Sequence, residues 1–225
     1  MPIPRILALL DQEILDSDWF AKAITHRSAS KKNNERLEFL GDSVLSMVIA
    51  NYLFERFPNA NEGDLSRLRS HLVRGATLAK IASESNLGDY LKLGAGELKS
   101  GGFRRESIME DALEAIIGAA FLLKGFEYAR DYILAVFAAH LENLPQPETL
   151  KDPKSRLQEW LQSRSMSVPA YQVLEISGEA HNQTFTAECR IENPVVTTQA
   201  MGSSRRKAEQ AAAAQALEII LQESS

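Results

Sequence analysis

Two short segments of the sequence place carboxylate side chains among apolar residues at spacings of three and four. The segment "NERLEFLGDSVL" carries Glu35, Glu38 and Asp42, and the segment "MEDALEAIIGAAF" carries Asp111 and Glu114. At about 100° per residue on a helix, the first three fall within an arc of roughly 60° that borders an apolar face. Because charged groups are costly to desolvate, carboxylates at the edge of a buried face require a physical reason.

A divalent cation between the two segments would supply that reason. Like charges at these spacings cost a few tenths of a kcal/mol on an exposed helix, and more where solvent screening is lost. Mg²⁺ prefers oxygen ligands and needs only a few carboxylates, because it usually keeps several waters. Solvated helix acids remain the simpler interpretation of either pair alone, but two such clusters favour a metal site. The implied chemistry is metal-assisted hydrolysis of a phosphate ester.

Other catalytic and metal sites do not match the sequence. None of His26, His71, His140 or His181 follows a glutamate by three residues, which excludes the Glu-x-x-His pattern of di-iron bundles. The sequence has no His/Cys cluster for zinc, no P-loop and no G-x-S-x-G motif. His26, in "THRS", is expected to make structural hydrogen bonds. The single cysteine, Cys189, lies in the alternating run "FTAECRIE" and is expected to pack in a strand.

The elements that position the carboxylates are predicted to be helices. Residues 1–144 show apolar residues at helical spacing almost throughout, which indicates an all-α domain. Gly41 falls on the buried side of its helix, where a missing side chain lets another helix approach closely. Two further glycines, Gly88 and Gly125, are predicted to mark helix C-termini.

A glycine-rich stretch, "LGAGELKSGGFRRES", interrupts the helical pattern and carries Lys99, Arg104 and Arg105. It is either a plain connector or a mobile loop that approaches phosphates. The chain as a whole has a net charge of -5, so binding of a polyanion would require clustered basic residues or metal ions. Acidic residues interrupt the apolar N-terminal stretch, which excludes a signal peptide or membrane span there, and we expect a cytoplasmic protein.

Residues 145–153, "PQPETLKDP", have the composition of a linker and separate the all-α domain from a second domain, residues 154–223. The second domain reads as a helix, three strands and a closing helix, a small α+β domain with α-β-β-β-α order. Either Ser203 or Ser204 is predicted to cap the closing helix. Its first turn carries "RRK", which together with the unpaired N–H groups there could hold a phosphate.

These motifs together resemble the signature of the ribonuclease III family. The matching segments are "THRSAS", "NERLEFLGDSVL", "EGDLSRLR", "LVRGATLA", "GELKSGGFRRESI" and "DALEAIIGA", and "GSSRRKAEQAAA" resembles the closing helix of double-stranded-RNA-binding domains. The resemblance covers nearly the whole chain and implies an all-α endonuclease domain followed by a double-stranded-RNA-binding domain. One departure is Glu209, where many such RNA-binding domains have a lysine.

The resemblance also implies roles for individual residues. It places metal ligands at Glu38, Asp42, Asp111 and Glu114, of which Asp42 and Glu114 are catalytic, and secondary acidic positions at Glu35 and Glu62. It places RNA contacts at Gln158, Glu159, His181, Arg205, Arg206 and Lys207. The implied cofactor is Mg²⁺, which Mn²⁺ can replace. The implied protein is a homodimer that cuts double-stranded RNA, including ribosomal RNA precursors and other transcripts, and leaves 5′-phosphate and 3′-hydroxyl ends with short 3′ overhangs.

Two other functions use parts of the same pattern. A non-catalytic RNA-binding protein could keep the nuclease fold as a dimer scaffold, but all four key carboxylates are present. An all-α nucleotide pyrophosphatase could use Glu35, Glu38, Asp111 and Glu114 to bind a metal–triphosphate, but it would have no use for the RNA-binding domain.

Overall fold

The computed structural model describes residues 3–179 and 182–223 of the 225-residue chain. His181, for which an RNA contact is expected, therefore lies outside the described residues. The chain divides into two compact units, Met1–Pro147 and Glu148–Ser225. The division falls inside the proline-rich segment 145–153.

The first unit is built from α-helices. Within the described residues they are α1 (Arg5–Ala8), α2 (Gln12–Leu15), α3 (Asp18–Ala23), α4 (Glu35–Arg56), α5 (Glu62–Val73), α6 (Gly75–Glu84), α7 (Ala95–Lys99) and α8 (Glu106–Glu142). Two 3-10 turns, Leu87–Tyr90 and Gly102–Arg104, flank α7. Strand-like pairing among the described residues of this unit is limited to one bridge between Thr25 and Lys92. The predicted all-α class is confirmed.

Helices α4 and α8 pack against each other with their backbones in contact. A Cβ added at Gly41 would overlap the carbonyl oxygen of Glu114, and one added at Gly118 would overlap the carbonyl oxygen of Leu37. The missing side chains therefore let the two helices cross at close range, as predicted for Gly41. Around the crossing, Leu45 and Ile116 are fully buried. Burial of such a side chain contributes about 1.5–3 kcal/mol to folding.

Helix α4 is long and apolar enough, by length and composition alone, to cross a membrane. One apolar face of the helix is already covered in the folded chain, because Leu45, Ile49 and Leu53 are at most 1% exposed. Core helices of globular domains pass the same test of length and composition. Packing within the first unit accounts for these buried apolar residues of α4 without a lipid environment.

The helix ends differ in part from those predicted. The prediction of a helix C-terminus at Gly88 is wrong: α6 ends at Glu84, and Asn86 takes the left-handed conformation with a φ of 55°. Gly88 lies in the following 3-10 turn, where a Cβ would overlap the carbonyl oxygen of Phe103. Gly125 does interrupt helical geometry, with φ 81° and ψ -176°, but α8 resumes beyond it.

The second unit has the predicted α-β-β-β-α order. Its elements are α9 (Pro153–Gln162), β1 (Ala170–Ser177), β2 (Thr184–Ile191), β3 (Val196–Gly202) and α10 (Arg205–Glu223). The strands form one antiparallel sheet in the order β1-β2-β3.

The core of the second unit lies between the sheet and its two helices. It contains Leu157 and Leu161 of α9, Cys189 of β2 and Ala213 of α10, all 0% exposed. Cys189 is thus a packed strand residue, as predicted. The Oγ of Ser204 accepts a hydrogen bond from the amide of Lys207 at 3.3 Å, which identifies Ser204 as the cap of α10.

Candidate functional site

The crossing of α4 and α8 brings together the four carboxylates that are expected to bind metal. Glu38 and Asp42 lie on α4, and Asp111 and Glu114 lie on α8. Asp42 is exposed and Glu38 and Asp111 are half-buried, whereas Glu114 is only 7% exposed. The backbone of Glu114 is also the point at which Gly41 meets α8. The helix contact therefore fixes the position of this acid relative to those on α4.

Burial and mutual repulsion strongly perturb Glu114. Burial contributes most to raising the pKa of its carboxyl group from an ordinary 4.5 to about 8, and the negative charges of Asp42, Glu110 and Glu38 contribute further. An acid with this pKa is largely protonated at neutral pH. The group would ionise more readily beside a cation.

The neighbouring acids are perturbed in the same direction. Burial raises the pKa of Glu38, and the charges of Asp111 and Glu35 add to the effect. Burial also raises the pKa of Asp111, although the nearby side chains of His26 and Arg27 oppose this rise. The electrostatic coupling between α4 and α8 shows that these carboxylates share one region of the unit.

Glu110 is a member of this carboxylate cluster that the sequence interpretation missed. Burial contributes most to raising the pKa of the Glu110 carboxyl group, and the negative charges of Asp111 and Asp42 add to the effect. Its carboxylate lies against Gly75, the first residue of α6, where an added Cβ would overlap it. Glu110 precedes Glu114 by four residues, so the same helical spacing could have revealed it.

The two secondary acidic positions differ in their placement. Glu35 begins α4, lies 3.6 Å from Arg27 and lines the same cavity as Glu38. Glu62 begins α5 and accepts a hydrogen bond from Ser66 at 2.7 Å. Glu62 is not among the main charges that shift the pKa values of the clustered carboxyls. Within the described part of one chain, Glu35 therefore joins the cluster, and no such link joins Glu62 to it.

The chemistry of the donor set fits a hard divalent cation. All the crowded ligands are carboxylates, and their repulsion is what a bound cation would relieve. Across residues 3–179 and 182–223, however, no three His, Cys, Asp or Glu side chains are already grouped to hold one ion. Mg²⁺ needs few protein ligands because water completes its coordination, so a loose set of carboxylates is compatible with it.

A polar cavity of about 570 Å³ opens beside the cluster. Glu38 and Asp111 line it together with the cationic side chains of Arg27 and Arg105. Arg105 comes from the glycine-rich stretch and lies 2.7 Å from Glu97. The glycine-rich stretch therefore contributes an ion pair, Arg105 with Glu97, to the wall of the carboxylate cavity.

His26 also lines this cavity, and its ring is held by hydrogen bonds. The Nδ1 atom lies 2.8 Å from the Oγ of Ser28 and accepts a hydrogen bond from the Ser28 amide at 3.2 Å. The Ser28 Oγ in turn accepts from the amide of Gly94 at 2.9 Å. These are the structural hydrogen bonds expected for His26.

In the second unit, the side chains expected to contact RNA lie on α9 and α10. Arg205, Arg206 and Lys207 form the first turn of α10 and are all exposed. Gln158 and Glu159 are exposed on α9, where Glu159 accepts a hydrogen bond from Lys151 at 2.6 Å. Three cations at the start of a long helix form a favourable site for phosphate oxygens.

Family models match both units. A model described as "Ribonuclease-III-like" matches residues 16–141, more than half of the chain, and a model described as "Double-stranded RNA binding motif" matches residues 153–220. The chain belongs to the ribonuclease III family. The first match contains all the clustered carboxylates, and the second contains the basic turn of α10.

Curated relatives match the chain almost from end to end. The protein named "Ribonuclease 3" of Vibrio vulnificus (strain YJ016) is 56% identical over 220 residues, which cover 96% of each chain. The "Ribonuclease 3" of Shewanella amazonensis is 54% identical, with 98% of this chain and 97% of the relative covered. A solved structure of the ribonuclease III nuclease domain from Campylobacter jejuni is 44% identical, has a TM-score of 0.56, and covers 60% of this chain and 99% of its own.

Proposed function

We propose that this protein is a Mg²⁺-dependent endoribonuclease that cuts double-stranded RNA. The observation that carries the proposal is the carboxylate cluster at the crossing of α4 and α8, in a chain whose second unit matches a double-stranded RNA binding motif. The names of the curated relatives support a ribonuclease. The proposed products have 5′-phosphate and 3′-hydroxyl ends with short 3′ overhangs.

Glu38, Asp42, Asp111 and Glu114 would hold the metal. When bound, Mg²⁺ supplies Lewis-acid activation of water and neutralises charge at the phosphate. The residues of the chain provide the position: the glycine crossing holds Glu114 against α4, and burial keeps bulk water away from it. Asp42, which is exposed, is the acid among the four most open to a substrate from solution. Because Glu114 is largely protonated without a cation, metal binding should release a proton.

The second unit would hold the duplex. In the binding mode of such domains, one helix and one loop reach successive minor grooves while a basic turn grips phosphates across the major groove. Here those parts are Gln158 and Glu159 on α9, the loop that includes His181, and the first turn of α10. A local basic turn also explains how a chain with a net charge of -5 can bind a polyanion.

We further propose a homodimer. Helix α4 presents exposed apolar side chains: Phe39 is 78% exposed, Met47 61% and Phe54 70%. Residues of the same helix also line a cavity of about 580 Å³. Its walls combine the apolar side chains of Trp19, Leu37, Leu40 and Leu122 with the polar and charged side chains of Lys22, Lys31, Lys32, Asn33, Glu35 and Arg36. In a two-fold dimer, Phe39 of each copy can fill the cavity of the other, so that one surface serves both partners. The nuclease domain from Campylobacter jejuni is itself described as flexible in a region involved in dimer formation.

Ribosomal RNA precursors and other structured transcripts are the proposed substrates, and the cytoplasm is the proposed location. Recognition by duplex shape and 2′-hydroxyl groups would admit helical regions of many transcripts.

A cleavage assay with matched nucleic acids tests the proposal. A labelled RNA duplex, the RNA single strand and a DNA duplex of the same sequence are incubated with the protein in Mg²⁺ or in EDTA. We expect cutting of the RNA duplex only, and only with Mg²⁺. Glu114→Gln should abolish cutting and leave duplex binding nearly intact, whereas Glu142→Gln, on the exposed end of the same helix, should affect neither. Binding without cutting under every condition would make the protein a non-catalytic RNA-binding protein.

A further inference from the structure

A buried acid lies directly after the basic first turn of α10. Glu209 follows Arg205 by one helical turn, and its side chain is only 9% exposed. On charge alone a carboxylate weakens a site for phosphate, and many related RNA-binding domains have a lysine at this position. The contacts of Glu209 suggest what it contributes instead.

Each oxygen of Glu209 accepts a hydrogen bond from a different cation. Oε1 accepts from Nε of Arg205 at 2.8 Å, and Oε2 accepts from Nζ of Lys154 at 2.6 Å. Burial favours the neutral acid, but the bonds from Arg205 and Lys154 prevail and hold the pKa of Glu209 below its ordinary value. Glu209 is therefore ionised at neutral pH and bridges two helices.

Further contacts hold the start of α9 against the first turns of α10. Lys154 Nζ lies 4.0 Å from the ring centroid of Tyr171, and the Lys154 amide donates to Oε1 of Gln210 at 3.4 Å. Gln210 also donates through Nε2 to Oδ1 of Asp152, the N-cap of α9, at 2.8 Å. Glu209 thus belongs to a network of contacts that fixes the position of α9 relative to the basic turn of α10.

The hydrogen bond to Glu209 also constrains the guanidinium group of Arg205. It uses Nε, which leaves the two Nη groups for another acceptor, and the Arg205 side chain is 68% exposed. An arginine held at Nε loses less side-chain freedom when its Nη groups bind a phosphate.

We propose that Glu209 is a positioning residue for duplex RNA: it orients Arg205 toward a phosphate and keeps the basic turn of α10 in register with α9. The inference rests on the proposed RNA-binding function of this unit. A duplex presents its phosphates and minor grooves at fixed separations, so a domain that contacts both gains affinity when its two helices are held at a matching distance.

The opposing hypothesis is that Glu209 acts only through its charge and lowers RNA affinity. The two hypotheses predict opposite signs for the loss of the side chain. Removal of a mere negative charge strengthens binding to RNA and leaves the phosphate contacts in place. Removal of a positioning residue weakens binding even though the unit becomes more positive.

The test measures duplex RNA affinity of the full-length protein in EDTA over a range of salt concentrations. The variants are Glu209→Ala, Glu209→Gln, Arg205→Ala, the double variant Arg205→Ala/Glu209→Ala, and the control Glu218→Ala. The control removes an exposed acid from the same helix, away from its first turn. Thermal unfolding of each variant checks that it is folded. Glu209→Met, which keeps a side chain of similar length without a carboxylate, replaces the alanine variant if that one does not fold.

We expect Glu209→Ala to bind RNA about three- to tenfold more weakly, consistent with disturbance of one charge-assisted phosphate contact. The slope of log affinity against log salt concentration should become shallower, by no more than the change expected for the loss of about one phosphate contact. Glu209→Gln keeps an acceptor for Arg205 and should bind close to wild type. The loss in the double variant should be smaller than the sum of the two single losses, because both changes affect the Arg205 contact.

Three outcomes would overturn the inference: tighter binding by Glu209→Ala, unchanged binding by it, or additive losses in the double variant. Failure of the wild-type protein to bind duplex RNA would instead overturn the proposed function. The two failures are therefore distinguishable in one experiment.

Discussion

At the scale of single residues, Glu114 is an acid whose ionisation is opposed both by burial and by the neighbouring carboxylates. Glu114 is 7% exposed, and the negative charges of Asp42, Glu110 and Glu38 act on its carboxyl group. The folded protein therefore holds the Glu114 proton more tightly than the unfolded chain does. Its stabilising contribution is complete below about pH 4.5 and is lost as the pH rises through about 8.

Glu114→Gln cannot ionise, so it should stabilise the metal-free protein more at pH 8 than at pH 5. In EDTA we expect a melting temperature several degrees above wild type at pH 8, at roughly 2–4 °C for each kcal/mol of relieved repulsion, and little difference at pH 5. Differential scanning calorimetry at the two pH values measures this. Glu142→Gln is the control, and saturating Mg²⁺ should shrink the difference at pH 8. An equal effect at both pH values would contradict the role of ionisation.

Part of this residue-scale arrangement follows from the sequence. Helical spacing placed Glu38 and Asp42 on one edge of an apolar face, and Asp111 and Glu114 on another. The depth of Glu114 does not follow from spacing, because it depends on how closely a second helix approaches. Glu110 has the same helical spacing, but its closeness to Gly75 is a tertiary contact that no local pattern contains.

At the scale of elements, the crossing of α4 and α8 depends on two residues without side chains. Gly41 and Gly118 each meet the backbone of the opposite helix, so any side chain there must separate the helices. Separation would also move the acids of α4 away from those of α8. The cluster and the core thus depend on one contact.

Gly41→Ala should destabilise the first unit by about 3 kcal/mol, because the added Cβ has no space without a backbone shift. Denaturation in urea measures the loss. Gly96→Ala is the matched control: it also adds a methyl group to a helix, but no atom lies within 4 Å of its Cβ. Alanine at position 96 should be neutral or slightly stabilising. Similar losses in both variants would show that the crossing does not require glycine at position 41.

The elements themselves were predictable where local chemistry specifies them. Turn residues separate the three strands, Ser204 caps α10, and Gly41 signalled a close helix contact. The prediction of a helix end at Gly88 was wrong because glycine is favoured in two different situations, in a left-handed backbone conformation and at a close packing contact, and the sequence does not distinguish them. Asn86 takes the left-handed conformation, and Gly88 satisfies the packing against Phe103.

At the scale of the whole molecule, the exposed apolar side of α4 should determine the oligomeric state. Phe39 lies in a segment that reads as a buried helix, yet it is 78% exposed in a single chain. Periodicity specifies that a face is apolar, but it does not specify whether the same chain or a second copy covers it. The sequence therefore supports the dimer only through family resemblance, whereas the structure adds exposed apolar side chains on α4 and a cavity lined in part by the same helix.

Phe39→Ala should weaken the proposed dimer by about tenfold or more, because an aromatic side chain that fills a cavity dominates such an interface. Sedimentation equilibrium over a range of protein concentrations measures the change. Val195→Ala, which removes an 87% exposed apolar side chain from the second unit, is the control. A monomeric wild-type protein would contradict the dimer, and an unchanged dimer in Phe39→Ala would contradict the role of this residue.

The burial of the single cysteine has a practical consequence for labelling. Cys189 has no exposed surface, lies beside Tyr171, and its thiol pKa is raised by burial. A maleimide dye should therefore react with a cysteine introduced at the surface and leave the native thiol intact, so fluorescent probes can be attached without replacing Cys189. Conversely, slow alkylation of Cys189 under native conditions would report transient opening of the RNA-binding unit, because the thiol is part of that unit's core.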